Sequence, residues 1–514
     1  MDGIETLKED VQRGRISAER LIDLLAAQQR LLQAAQQQLQ TSQQQLQAAT
    51  QRIAELEKQI GGTPTAKLDE PFSMRAEEQR QEARGKRKRP RKKKGRRGRV
   101  RTKDKIAQAE RTEAVFPKGV SSNECQLSHV RPVWRLEQGR ALLVAYQIYR
   151  GPHNRYGVIP GVLGRSEFGL EIVTEIAYLV YIVGLSFDKV CMLLKFFQNL
   201  NLRKSQADAL LYRLSQHWEQ EFETLCTLLA HSLVVHADET RWSVNSVWAF
   251  LSEKARVLLF GVPKDAQTLK RLLDPATFAG LVISDDAAVY ETFTAAQKCW
   301  AHLLRKTIKL TLQDPNNADY RNFTDALLEI YRQAARIQCD GRLGDAGRAR
   351  KVAELDEEIV KLCMPMCFED ATSFQGFDHD FCLLVKEVFR LMIKQELFQF
   401  VTAASVPQPN GESNPVGGTN NEAERTLRGA AQARTTGRTN KTLKGARRQT
   451  ILTSVLESLR LYLKTFRLAS VLEELKRWWK IGQSCFTTLL KQLHLSVPDE
   501  PIINQILPIP TPSG

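Results

Sequence analysis

The sequence predicts an α/β protein: a mixed sheet flanked by helices and split by a helical insertion, behind mainly α-helical amino-terminal regions that include a coiled coil. Three observations point there. Residues 16–60 place an apolar residue at every seventh position: Leu25, Leu32, Leu39, Leu46, Ile53 and Ile60. From about residue 233 the helical pattern gives way to short apolar runs, "SLVVHADETRWSV", "SVWAFLS", "ARVLLFGV" and "GLVISDDAAVY". After these, helical periodicity dominates as far as a glycine- and proline-rich loop ending in "GGTNNEAERTLRG" (417–429).

Taken in order, residues 1–60 form the coiled coil. Its second seam (Gln28, Ala35, Ser42, Ala49, Leu56) is mostly small or polar, a weak half-seam beside the heptad repeat whose expected job is homo-oligomerisation. A lone amphipathic helix packed on the body is the alternative. "GGTPTAKLDEP" (61–71) ends this helix and opens a linker running to 115. Within it, residues 84–105 carry 15 Lys/Arg against one Asp, nearly the whole formal charge of +16. Such a run implies a polyanionic partner, most simply nucleic acid. Pro90, Gly95 and Gly98 interrupt any helix there. The tract is therefore a flexible arm that grips phosphates through Arg87, Arg89, Lys92, Lys93, Arg96 and Arg97. A merely solvated linker is the bland reading.

Nine scattered cysteines without a paired framework suit reduced thiols in the cytosol. The longest apolar run, "IAYLVYIVGL" (176–185), is half a bilayer span, so a buried helix is expected and no membrane partner.

Residues 116–230 read as a small strand element followed by helices. "GLSFDKVCMLLKFFQNLNLRKSQADALLYRLSQHW" has a helix, a turn at 199–202 and a second helix. This is either a helix-turn-helix with Arg203, Lys204, Gln206 and Arg213 toward DNA, or a plain helical hairpin.

Residues 231–310 supply the first part of the sheet. A strand ends in Asp238, and two strands follow, joined at Glu253 and Lys254. Next come a helix ("DAQTLKRLLDPATF"), a strand ending in Asp285 and Asp286, a helix ("TFTAAQ"), and a strand-to-helix step ("KCWAHLLRK"). This is the order of an RNase H-like catalytic core, in which the first and fourth strands lie side by side. Asp238 and Asp285 then become neighbours. Residues 311–416 form the insertion, 417–480 the second part of the core, and 481–514 a carboxy-terminal tail.

Paired carboxylates at strand ends suit a hard divalent ion, Mg²⁺ or Mn²⁺, and two such ions can serve both oxygens of a phosphoryl displacement. A third carboxylate is expected near 417–429. Thr419 and Glu422 fit a capping box, which leaves Glu424 free beside Arg425 and Arg428. Arg434, Arg438, Lys441, Lys444, Arg447 and Arg448 read as further phosphate contacts. His302 reads as a DNA or active-site contact with Arg305 and Lys306 beside it, and Cys299 as packed. Cys363, Cys367, His379 and Cys382 lack zinc spacing and read as core; no zinc is expected.

"HADETRW", "SDDAAVY…CWAHLLRK" and "NNEAERTLR…GRTN" together resemble the three acidic motifs of the insertion sequence 66 family of bacterial DDE transposases, over roughly residues 165–470. The resemblance implies that Asp238, Asp285 and Glu424 are catalytic and hold two Mg²⁺ or Mn²⁺ ions. The family's second aspartate stands five residues before a tyrosine. Tyr290 thus selects Asp285, with Asp286 the neighbouring alternative. It further implies cleavage at element ends to free a 3′-OH, joining to target DNA, companion proteins from the same element, and a nucleoid-associated cytoplasmic location. The chain departs from the family pattern in having only Cys125 and His129 ahead of the core, and Asp-Asp-Ala for Asp-Gly-Tyr. The rival readings are a non-catalytic DNA-binding or architectural protein, an inactivated copy, and a nuclease that cuts without joining.

Overall fold

The computed structural model describes residues 102–508 apart from 244, 404, 410, 412 and 441, together with residue 33. The expected coiled coil, the arm residues Arg87, Arg89, Lys92, Lys93, Arg96 and Arg97, and Lys441 lie outside the described residues.

The linker expected to reach 115 ends sooner. Helix α1 spans Thr102–Ala107 and strand β1 spans Arg111–Val115. β1 runs parallel to β3 (Arg140–Arg150), which pairs antiparallel with β2 (Gln126–Glu137). Gln138 and Gly139 turn the β2–β3 hairpin, both at positive φ (50° and 78°), as the twist of a two-residue hairpin requires. Charge hides β1 in the sequence: Arg111 is paired with Glu137 at 2.7 and 3.1 Å rather than free to bind DNA.

Four helices follow, α2 (Leu170–Ala177), α3 (Phe187–Gln198), α4 (Lys204–His217) and α5 (Glu219–Ala230). Asn199 closes α3 in the left-handed region (φ 55°), which separates α3 from α4 where the sequence expects a turn.

The central sheet is built from β4 (Val234–Arg241), β5 (Ser246–Ser252), β6 (Arg256–Val262), β7 (Leu281–Ser284) and β8 (Ala296–Lys298), in the order β6-β5-β4-β7-β8. β5 pairs antiparallel with both β4 and β6, whereas β7 lies parallel to β4 and β8 parallel to β7. Helix α6 (Ala266–Leu272) connects β6 to β7. "TFTAAQ" is not the expected helix. Its last two residues already belong to β8, which is buried and paired with β7. Six residues bearing two β-branched threonines are too short and too stiff to nucleate a helix.

Helix α7 (Trp300–Gln313) leaves β8 and opens the insertion, continued by α8 (Ala318–Cys339), α9 (Asp345–Cys367) and α10 (Gly376–Ile393). Trp300, Leu303, Tyr320, Phe323, Leu355 and Val385 form one core with Val234, Leu281 and Ile283, so the insertion is welded to one face of the sheet. On that face further along, α11 (Asn421–Thr435) sets Leu427 and Ala430 against Trp242, Val247, Ala249, Leu258 and Phe260. The opposite face packs Val235, Ala237, Trp248 and Phe250 into the main core with α5 and α12 (Leu443–Tyr462).

α12 also seals the edge strand. Ser458, Ser454 and Thr450 accept the β6 backbone N–H groups of Arg256, Leu258 and Phe260 at 2.9, 2.9 and 3.0 Å. The spacings match: four helical residues advance about 6 Å, and two strand residues about 6.6 Å. An edge that would otherwise invite pairing with another chain is closed by hydroxyls.

Candidate active site

Along β4, side chains alternate. Val235 and Ala237 enter the main core, Val234 faces the insertion, and Asp238 therefore shares Val234's face. β4 and β7 pair in parallel at Val234↔Leu281, Val235↔Val282 and His236↔Ile283. The same offset, carried two residues past the last rung, sets Asp238 level with Asp285.

The charges meet there. Burial pushes the Asp238 carboxyl up to about 7, with further upward contributions from Glu239, Asp285 and Glu424 and an opposing one from the Glu239 N–H. That N–H donates to Asp238 Oδ1 at 2.9 Å. Asp285 Oδ1 accepts only a local bond, from Ala287 N–H at 3.1 Å. Its neighbour Asp286 is tied down instead: Arg390 of α10 holds it at 2.6 Å and the buried Lys298 stands at 4.0 Å. Asp286 is thus ion-paired through Oδ2, while its buried Oδ1 has no hydrogen-bond partner.

Glu424 approaches through the loop before α11, near enough for its charge to help raise Asp238, although the carboxylates of Asp238, Asp285 and Glu424 do not all lie within 4.8 Å of one another. Gly418 O accepts Trp300 N–H at 3.0 Å, and Cys299 Sγ accepts Asn420 N–H at 3.1 Å. The fully buried Asn420 donates from Nδ2 to Ala237 O at 2.8 Å, one residue from Asp238. Glycine is needed at 418, where a Cβ would come within 2.8 Å of the Phe400 ring. One turn into α11, Glu424 Oε1 takes a hydrogen bond from Arg305 Nη2 at 2.6 Å and lies 3.5 Å from His302 Nδ1. Burial, then Arg305, lowers the His302 pKa, so the ring is neutral at pH 7.

The capping box expected from Thr419 and Glu422 does not form. Asn420 occupies the N-cap position without a side-chain bond, and Glu422 pairs with Arg256 of β6. Long-range pairing to a buried edge outcompetes the local cap. Glu422 instead ties the helix start to the edge strand, and Glu424 pairs with Arg305 of α7.

Several groups around the acids escape sequence reasoning. Glu239, on the opposite face of β4, accepts Tyr290 O–H at 2.5 Å and pairs with Lys264, whose pKa is raised first by that bond. Asp285 and Asp238 also raise it, so the half-exposed Lys264 lies within reach of both acids' charge. The adjacency of Glu239 to Asp238 was visible; its partners were not.

The basic residues divide. Arg425 and Arg428 are exposed on α11. Arg203, Lys204 and Arg438 line one cleft of about 1030 Å³ with Thr426, Gly429 and Gln432 of α11. Lys204 also pairs with Asp188 at 2.9 Å, and Lys306 with Glu387 at 2.5 Å. Arg447 and Arg448 are not the expected phosphate contacts. Arg447 is buried against Glu219, Asn504 and the carbonyls of Ile503 and Leu507. Arg448 is buried against Tyr181 and Asp208 at 2.6 and 2.5 Å. Lys444 sits 3.4 Å over the Tyr212 ring. Among the described residues no helix is long and apolar enough to cross a membrane.

Residues 165–448, more than half the chain, match the family model described as Transposase IS66 family. The chain belongs to the IS66 family of transposases. Membership makes DNA its partner and a divalent metal ion its expected cofactor. No curated protein matches the chain.

Proposed function

We propose that the protein cleaves DNA at the ends of its insertion sequence to free a 3′-OH and joins that hydroxyl to target DNA, in an RNase H-like core whose metal ligands are Asp238, Asp285 and Glu424. One observation carries this reading. The parallel β4–β7 register sets Asp238 level with Asp285, and Glu424 lies near enough for its charge to add to the burial that raises Asp238. That donor set, hard oxygens only, fits Mg²⁺ or Mn²⁺. Bound there, a pair of such ions would activate the attacking oxygen and stabilise the leaving one.

The chain's own groups position and neutralise. Asn420 fixes the start of α11 to β4, so Glu424 is presented at a set height. Arg305 spans from Glu424 to solvent with more than half its side chain exposed, and its remaining N–H groups can take a phosphate oxygen. Arg425 and Arg428, with the cleft residues Arg203, Lys204 and Arg438, grip the backbone without reading bases. The amino-terminal basic arm adds salt-sensitive affinity, and the coiled coil pairs protomers so that two element ends are held together. Companion proteins of the same element complete the assembly.

Asp238→Asn, Asp285→Asn and Glu424→Gln should each lower Mg²⁺-dependent strand cleavage by about 1000-fold or more, with DNA binding retained in a mobility-shift assay. Asp286→Asn should cleave far better than Asp285→Asn. Near wild-type cleavage by Asp238→Asn would overturn the proposal.

A further inference from the structure

We propose a second cation site beside the acidic one, formed by Cys299, His302 and Glu424 and suited to a borderline-soft divalent ion such as Zn²⁺. Among the described residues, this is the His/Cys/Asp/Glu group whose ligand atoms all lie within 4.8 Å of one another. Cys299 immediately precedes α7 and His302 is its third residue, so one helical turn turns both donors toward Glu424.

The geometry is close to a tetrahedral edge. Two ligands bound at the usual zinc distances stand about 3.4 Å apart, and His302 Nδ1 lies 3.5 Å from Glu424 Oε1. Nδ1 is buried and has no hydrogen-bond partner, so its lone pair is free to bind an ion when the proton sits on Nε2. Cys299 Sγ already accepts Asn420 N–H at 3.1 Å, a bond that also supports a thiolate. Arg305 now balances Glu424, and its exposed side chain can swing away once an ion supplies the charge. On binding, the Cys299 thiol loses its proton to solvent. Thiolate and carboxylate together then match the charge of the ion.

Sulfur and imidazole donors select against Mg²⁺. The two sites therefore differ in metal while sharing Glu424. Resting on the catalytic reading of Glu424 above, Zn²⁺ in this site removes a ligand from the acidic one and inhibits cleavage.

The test uses the full-length, metal-free protein titrated with Co²⁺ as a spectroscopic stand-in. A thiolate-to-cobalt band in the near ultraviolet, with the visible bands of a four-coordinate ion, is expected, and Zn²⁺ should displace it. Cys299→Ser should abolish the near-ultraviolet band, and His302→Gln should weaken Co²⁺ affinity at least about tenfold. If Cys299→Ser melts early, the His302→Gln affinity decides. No thiolate band in the wild type, or an unchanged band in Cys299→Ser, overturns the site. Mg²⁺-supported cleavage by Glu424→Gln separates the two proposals. Lost cleavage without a wild-type cobalt band sinks the zinc site alone, and retained cleavage with the band intact sinks the catalytic reading alone.

Discussion

Helices α11 and α12 follow each other in the chain and are alike in arginine content, yet they use their arginines oppositely. On α11, Arg425 and Arg428 point to solvent beside Glu424. On α12, Arg447 and Arg448 are buried and spend their N–H groups on Glu219, Asn504, Tyr181, Asp208 and backbone carbonyls. What separates them is enclosure. α11 lies on the sheet with one apolar stripe, Ala423, Leu427 and Ala430, whereas α12 is surrounded on nearly every side. Arg425 and Arg428 are available cations; Arg447 and Arg448 are crosslinks.

The comparison breaks first at Arg447. Arg447→Ala leaves Glu219 and two carbonyls short of a partner, and should cost about 3–5 kcal/mol in chemical denaturation; an undiminished midpoint would refute the crosslink. Ser454→Ala, which strands the Leu258 N–H in the sealed edge, should cost about 1–3 kcal/mol. Asp238 offers a pH-resolved version of the same contrast. Its carboxyl titrates near 7 in the folded state against an ordinary 3.8. The protonated form is thus favoured by folding, and that stabilisation is complete below the ordinary value and lost as pH rises through about 7. Without divalent ions, Asp238→Asn should melt above wild type at pH 8 by about 2 °C or more, and the gap should close toward pH 4. Arg425→Ala and Arg428→Ala should stay within about 0.5 kcal/mol of wild-type stability, while each lowers the slope of log affinity against log salt by about 1. Glu422→Gln is the smallest change. It removes a pair with Arg256 whose carboxylate is half exposed, so about 1 kcal/mol at most is lost and cleavage stays.

The adjacency of β4 and β7 was legible in the order of the apolar runs, but not the strand bounds: β4 continues to Arg241, three residues past the expected end at Asp238, because polar residues can carry on a strand that its neighbour still pairs. The choice of Glu424 over Glu422 leaned on a capping box that does not form, because Glu422 reaches Arg256 on a remote strand instead. Arg447 and Arg448 were not legible as crosslinks, since a basic residue shows its burial only through partners such as Glu219 and Asp208, over 200 residues away. Arg390 and Lys264 were hidden for the same reason, each meeting an acid from a remote element. β8 and β1 were misjudged locally. One is three residues of edge strand, and the other alternates charges that a solvated linker would also carry.

The hydroxyl ladder of α12 has a consequence for how the chain is made. β6 leaves the ribosome 190–202 residues ahead of the side chains that close it. At ordinary bacterial elongation that interval is on the order of 10–40 s. Throughout it, the nascent sheet presents an open rim of backbone donors. A product that stops short of Leu443 keeps that rim for good and should be recovered in inclusion bodies, not as a soluble fragment.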